Sequence, residues 1–193
     1  MFPLLGEPLA LDLVNTRVGQ PDQGEDLLRA PGGMAAWLAA QEDRLVTDAG
    51  EVVGAEPDAI LTSVSAVREH AAAAIDHVRR GQRPPITACK ALVDTVRVAP
   101  AYRVLGWADG AVSTPTRRRD GSEPDRIAAA LADATVDLLT DPAAMAAVRQ
   151  CQADDCALLF RAQHPRRQWC SAARCGNRTR VARYYRRHKG ASG

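Results

Sequence analysis

The sequence predicts a mainly α protein. A helical N-terminal domain over residues 1–148 carries a small β-hairpin, and a compact C-terminal module over 149–193 ends in a basic helix. Three observations predict this. Aromatic residues make up only 4% of a chain that is 46% apolar, so the core has to be built from Ala, Leu and Val, a composition that favours helices. Four of the five cysteines fall between Cys151 and Cys175. Charge is split along the chain: residues 151–193 hold ten Lys or Arg and two acids, a net +8, and the rest is a net −6, giving the overall +2. An acidic body carrying a basic recognition module has that signature. A length of 193 residues allows one ordinary domain and a small appended one.

Taken in order, residues 8–18 (PLALDLVNTRV) read as a helix, with Pro8 in the first turn and Asp12, Asn15 and Thr16 on one face. Those three polar groups, with Arg68, are candidates for lining a ligand pocket. The competing reading, a hydrogen-bonded network that pins the next loop, is preferred. Residues 19–31 read as loop with an acidic turn at Glu25-Asp26, and a helix near 32–41 is anchored by Trp37 and Leu38. Residues 57–80 carry the clearest stripe. Ile60, Val64, Val67, Ala71, Ala74, Ile75 and Val78 recur at helical spacing, with Pro57 opening the helix and Gly81 closing it. His70 and His77 are read as partly exposed bystanders. After Pro84-Pro85 a helix over 86–98 is expected to bury Leu92, Val93 and Val96, and to hold Cys89 as a small hydrophobe.

Residues 101–116 change character. Tyr, Val and Trp flank Asp109-Gly110, the dipeptide of a tight hairpin turn, so a hairpin packed on the helices is expected, followed by a polar linker with Arg117, Arg118 and Arg119. A helix over 124–139 turns Ile127, Leu131 and Leu138 inward. Asp141-Pro142 then reads as N-cap and first turn of a short helix running to Gln150.

Cys151/Cys156 and Cys170/Cys175 form two C-x4-C pairs separated by thirteen residues. Two short turns that each bring two thiolates to one point make the tetrahedral all-sulfur cage suited to Zn²⁺. Two disulfides would use the same cysteines, but the first residues lack the basic segment of a secretion signal and a cytoplasmic chain keeps its thiols reduced. His164 is the alternative fourth donor, in a site of three cysteines and one histidine. Four protein ligands leave no position for water, so the metal is structural rather than catalytic. A treble-clef-like or knuckle-type four-cysteine zinc finger is the expected fold of this module.

Trp169-Cys170, then Cys175-Gly176-Asn177-Arg178 and a basic run, resemble the CGNR-type zinc finger. Ala10-Leu11-Asp12-Leu13-Val14-Asn15-Thr16 and the later Trp37-Leu38 resemble the helical ABATE domain that precedes such fingers. Together the resemblance spans nearly the whole chain. It implies a bacterial transcription regulator whose finger binds DNA. Where that family often has an acidic residue after the Leu-Phe-aliphatic run, this chain has Ala162.

The residues beside that resemblance support a nucleic-acid surface. Gly176 tolerates a backbone bend that lets amides donate to sulfur, and Asn177 is placed to cap the following helix. On residues 178–189, Val181, Ala182 and Tyr185 are expected to face the metal. Arg180, Arg183 and Arg187 form a separate stripe within about 60° at 3.6 residues per turn. Arg178, Arg166, Arg167 and Arg186 complete the candidate phosphate contacts. Trp169 is read as core, with base stacking as the rival. A protein-interaction module docking an acidic partner and an RNA-binding finger are the competing readings. No G-x-S-x-G, P-loop, H-E-x-x-H or paired carboxylates with a base occur, so an enzyme is not expected. A small-molecule effector or a homodimer contact is assigned to the N-terminal domain. No run approaches the length of a membrane span, and a cytoplasmic location is expected.

Overall fold

A computed structural model describes residues 2–3, 6–19, 24–49, 52, 54, 56–112 and 116–181. The body is a bundle whose centre is α6 (Glu123–Thr140), packed against α4 (Pro57–Arg79), α5 (Ile86–Val98) and α1 (Leu9–Val14). The mainly α expectation holds, and the reason is local. Ile60, Val64, Val67, Ala71, Ala74 and Ile75 on α4 are all buried, as helical spacing requires. Ile60, Val64, Val67 and Ala74 share one cluster with Ile127 and Leu131 of α6, both fully buried, each contributing about 1.5–3 kcal/mol through burial, while Ala71 and Ile75 pack with Leu11 and Leu138. Four alanines of α6, Ala128, Ala129, Ala130 and Ala132, are buried as well, so neighbouring backbones approach it closely. Ser122 caps α6 by accepting from the Asp125 N–H at 3.3 Å, and Asp141 caps α7 (Pro142–Ala147) by accepting from Ala144 at 2.9 Å.

α2 (Gly33–Ala40) buries Trp37 and Leu38 as expected, but a further helix, α3 (Glu42–Ala49), follows it after one residue. Several boundaries differ from the sequence expectation. α1 stops at Val14 rather than Val18, and Arg17–Val18 (β1) pairs antiparallel with Glu25–Asp26 (β2), which is therefore a strand and not a loose turn. The hairpin is longer than expected: Ala101–Val104 (β3) pairs with Thr116–Arg119 (β6), and Trp107–Ala108 (β4) with Ala111–Val112 (β5). Its turn is at Asp109-Gly110, both at positive φ (53° and 77°), the backbone of a type I′ turn. Arg117–Arg119 are thus strand residues, not linker. Arg119 is buried, donating to the Ala99 carbonyl at 2.6 Å and pairing with Asp133. The hairpin tip does not lie on the helices, since Leu105, Trp107 and Val112 stay exposed. Val93 is also exposed, and Cys89 only half-buried, because α5 turns just Ala88 and Leu92 fully inward.

The four polar side chains singled out in the sequence are buried and bonded. Asp12 accepts from the Gly6 and Glu7 amides (2.9 and 3.2 Å), Gln41 Nε2 (3.3 Å) and Arg44 Nη1 (2.7 Å), tying the N-terminal loop to the α2–α3 corner. Arg68 donates to Thr16 Oγ1 at 2.9 Å and grips Asp26 with both Nη atoms at 2.7 and 2.5 Å. Burial raises the Asp26 pKa, but the Arg68 hydrogen bond and charge, the Leu28 N–H and Arg17 outweigh it, and the net is below the ordinary value. A depressed folded-state pKa contributes stability above the unfolded value, about 3.9, and loses it as pH falls through the folded one. Asp26→Asn is therefore expected to destabilise the body at pH 7 and to narrow its gap to wild type at pH 3. Urea unfolding at both pH values measures this, and an equal gap at both refutes it.

Candidate metal centre and basic helix

The chain leaves the body through α7 and enters β7 (Val148–Gln150), which pairs antiparallel with β8 (Leu159–Arg161). The short helix expected to reach Gln150 thus ends at Ala147 and becomes strand. Cys151 and Cys156 lie in the turn between these strands, and the Cys151 N–H donates to the Leu158 carbonyl at 2.9 Å. Cys170 and Cys175 come from the other side, where a π-helical turn, Ala172–Gly176, begins at Ser171 and runs on as helix through residues 177–181. A strand-turn knuckle facing a helix N-terminus is the treble-clef-like arrangement expected.

All four Sγ atoms lie within 4.8 Å of one another, with Cys170 3.5 Å from Cys175 and 4.0 Å from Cys156. Those two separations are well beyond the roughly 2.05 Å of a disulfide and bracket the edge of a tetrahedron of four sulfurs around zinc, about 3.8 Å for 2.3 Å bonds. The donor set fits zinc. His164 is exposed and outside the cluster. The Cys156 thiol is pushed down to about 5, chiefly by its hydrogen bond with Cys170, with burial opposing and the Leu158 N–H assisting. The same hydrogen bond, and then burial, push Cys170 up. Burial pushes Cys175 up to about 11, with the Cys170 hydrogen bond opposing in part. Four sulfurs this close do not all ionise by themselves, and a divalent cation supplies the charge that lets four thiolates share one site.

Several flanking residues act differently from their sequence reading. Asn177 has helical dihedrals (φ −66°, ψ −45°) and is not the N-cap of the helix. The cap is Ser171, whose side chain accepts from the Arg174 N–H at 3.1 Å. Gly176 is buried where an added Cβ would sit 3.2 Å from Trp169 Cδ1, so any larger residue there has to displace the indole by a few tenths of an ångström. Trp169 packs against the cysteine cluster. Val181 is 53% exposed and does not face the metal.

The candidate phosphate contacts divide. Arg167 is committed inward. It donates to the carbonyls of Arg161, Trp169 and Cys170 and to Glu7 Oε1 at 3.1 Å, with its guanidinium 4.2 Å from the Phe160 ring centre. Arg178 makes a two-pronged bond to Asp155 at 2.6 and 2.5 Å, with one Nη 3.7 Å from Cys175 Sγ. Arg166 and Arg180 are exposed, the latter 3.2 Å from Asn177 Oδ1. Arg183, Arg186 and Arg187, like Ala182 and Tyr185, lie outside the described residues.

What the sequence did not reveal is how the finger is fastened. Asn15 Nδ2 donates to the Leu159 carbonyl and Oδ1 accepts the Leu159 N–H, both at 2.8 Å, across 144 residues of sequence. Glu7 accepts the Arg161 N–H at 2.8 Å and Arg79 donates to Gln150 Oε1 at 2.7 Å. Val148 and Leu159 join Leu11, Ala71, Ile75, Leu138 and Met145 in one apolar cluster, so body and finger share a core. An Asn at the end of a short helix carries no local signal of such a partner.

Four cysteines, three of them buried, on a knuckle and a helix start, closed against a helical body, define a protein with a structural zinc finger. The chain belongs to the ABATE family, described as "putative stress-induced transcription regulator", whose model matches residues 7–142. The CGNR zinc finger model matches residues 147–188. No curated protein matches the chain by sequence. The protein is a zinc-binding one of a regulator family, and neither family is one of enzymes. Among the described residues no helix is long and apolar enough to cross a membrane.

Proposed function

We propose that this protein is a cytoplasmic transcription regulator that binds duplex DNA through the helix leaving its zinc site, and that the four cysteines Cys151, Cys156, Cys170 and Cys175 are the zinc ligands. The observation that carries the reading is the charge of the stretch that contains that helix: from Arg166 to Lys189 the sequence has nine basic residues and no acid. The helix starts on the turn holding Cys175, so a metal-fixed scaffold sets its direction. Arg166 and Arg180, with Arg183, Arg186 and Arg187, are the phosphate contacts. Arg167 and Arg178 hold the zinc loops in register, and Arg178 meets phosphate only by exchanging Asp155 for it. The body, at a net −6, repels DNA and carries the regulatory task, sensing a small molecule or pairing with a second copy, with Asp12, Asn15, Thr16 and Arg68 as the polar groups that transmit or frame it.

Fluorescence polarisation with random duplex tests this. If each of these five contacts neutralises one phosphate, log K falls against log salt with a slope of about −4.5, at roughly 0.9 per contact. Arg180→Ala and Arg183→Ala are each expected to flatten the slope by about one unit with zinc retained. Salt-independent binding, or an unchanged slope in both variants, assigns the basic helix to an acidic protein partner instead. A single-stranded RNA arm with the steeper affinity would assign it to RNA.

A further inference from the structure

A cleft of about 440 Å³ opens where the body meets the finger. One wall is α1 and α4, through Val14, Ala72 and Ala73, and the other is the finger's hairpin, through Gln150, Ala157 and Leu159. That volume is in the range of small-molecule sites, which combine apolar walls with a few convergent polar groups. The polar groups here are mostly cationic. Arg17, Arg79 and Arg80 line the cleft together with Glu69 and Asp76, while Arg68, also lining it, is already held by Asp26.

The carboxylates are shared. Asp76 takes both Arg79 (2.6 Å) and Arg80, and Glu69 takes Arg17 (3.0 Å) and lies 3.6 Å from Arg68. Four arginines, Arg17, Arg68, Arg79 and Arg80, therefore share three acids, Asp26, Glu69 and Asp76, in a body whose net charge is −6. The Nε atoms of Arg68 and Arg79 are buried and have no acceptor among the described residues. Arg68 has a side chain only 2% exposed, so its unmatched donor is costly where it stands. Surplus donors beside an apolar wall fit an acceptor that is itself anionic and attached to a hydrocarbon body.

We propose that this cleft is the effector site, and that its ligand is a small organic anion, a carboxylate bearing an apolar tail. The carboxylate meets Arg79 and Arg80, which converge at Asp76, with Arg17 adding positive charge from the Glu69 end of the cleft, and the tail lies on Val14, Ala72 and Leu159. The proposal rests on the reading of the body as the sensing half of a regulator. It also explains how a ligand reaches the finger. Leu159 is the residue clasped by Asn15, and Gln150 is bonded to Arg79, so an occupant touches both ties between α1, α4 and the zinc hairpin. A ligand that prefers one setting of those ties shifts the finger toward it.

Calorimetry on the zinc-loaded full chain, with octanoate, 1-octanol and inorganic phosphate as probes, tests the site. Octanoate is expected to bind, with octanol and phosphate each about tenfold weaker or more, a difference of about 1.4 kcal/mol. The double variant Arg17→Glu/Arg80→Glu changes two side chains that are each over half exposed (55% and 54%), so the fold is retained, which zinc content and melting check. It is expected to weaken octanoate about tenfold, whereas Arg80→Lys keeps the charge and the binding. No octanoate binding, equal binding of octanol, equal binding of phosphate, or unchanged affinity in the double variant overturns the proposal. Duplex affinity, read in the same samples, tests the regulator reading alone, since the probes report the cleft whether or not the finger binds DNA.

Discussion

Removing zinc, by chelation or by Cys170→Ser, is expected to unfold the segment from Val148 onward while α4, α5 and α6 persist. Structural zinc sites supply about 10–16 kcal/mol of apparent binding energy. The finger's own apolar cluster is small, with Ala153, Leu158 and Phe160 gathered around the cysteines. Such a cluster does not hold a domain of this size without its metal. The three tryptophans report the outcome separately. Trp37 is fully buried in the body, Trp107 is already 72% exposed on the hairpin, and Trp169 is half-buried against the cysteine cluster. Chelation should thus shift part of the emission to the red, from Trp169, and leave the Trp37 contribution and most of the helical dichroism in place. Emission and protease resistance that stay unchanged after metal loss would refute a zinc-dependent finger.

Asn15→Ala is expected to cost about 3–5 kcal/mol. It removes two hydrogen bonds worth about 1 kcal/mol each and strands a buried N–H and C=O of Leu159, at about 1–3 kcal/mol for the unpaired groups. Asn15 is 3% exposed, so water has no easy route to replace them. The loss should appear at the far end of the chain, as faster amide exchange in β8 and faster zinc release to a chelator. Global destabilisation with β8 exchange unchanged relative to α6 would show that Asn15 acts only within α1.

The metal site was legible because its information is local. Two cysteine pairs at fixed spacing name a donor set without reference to anything distant, and the stripe from Ile60 to Ile75 does the same for α4. The helix ends signalled by Pro57, Gly81 and Asp141 were legible for the same reason. The residues that gave wrong expectations are those whose partners lie far away in sequence. Arg117–Arg119 read as a solvated linker, since nothing nearby shows that Asp133 and the Ala99 carbonyl take Arg119 into the interior. Val93 and Val181 read as core from spacing alone, yet both stand exposed on their helices. Arg167 and Arg178 read as candidate phosphate contacts, and only the fold brings Glu7 and Asp155 to them. A run of basic residues in sequence is therefore not yet a basic surface. Pairing has to be subtracted first.

The clasp between Asn15, Glu7 and the strand at Leu159–Arg161 also fixes an order of events in making the protein. Residues 6–16 emerge from the ribosome long before residues 159–167 exist, so the early segment spends most of translation with Asn15 and Glu7 unmatched. Asp12 finds Gln41 and Arg44 soon after they are made, but the floor of the body between α1 and α4 lacks Val148 and Leu159 until synthesis is nearly over. Capture of zinc by the last pair of cysteines is then more than the assembly of a small appendage. It delivers the final pieces of the body's own core, and couples the supply of metal in the cell to the completion of the whole molecule.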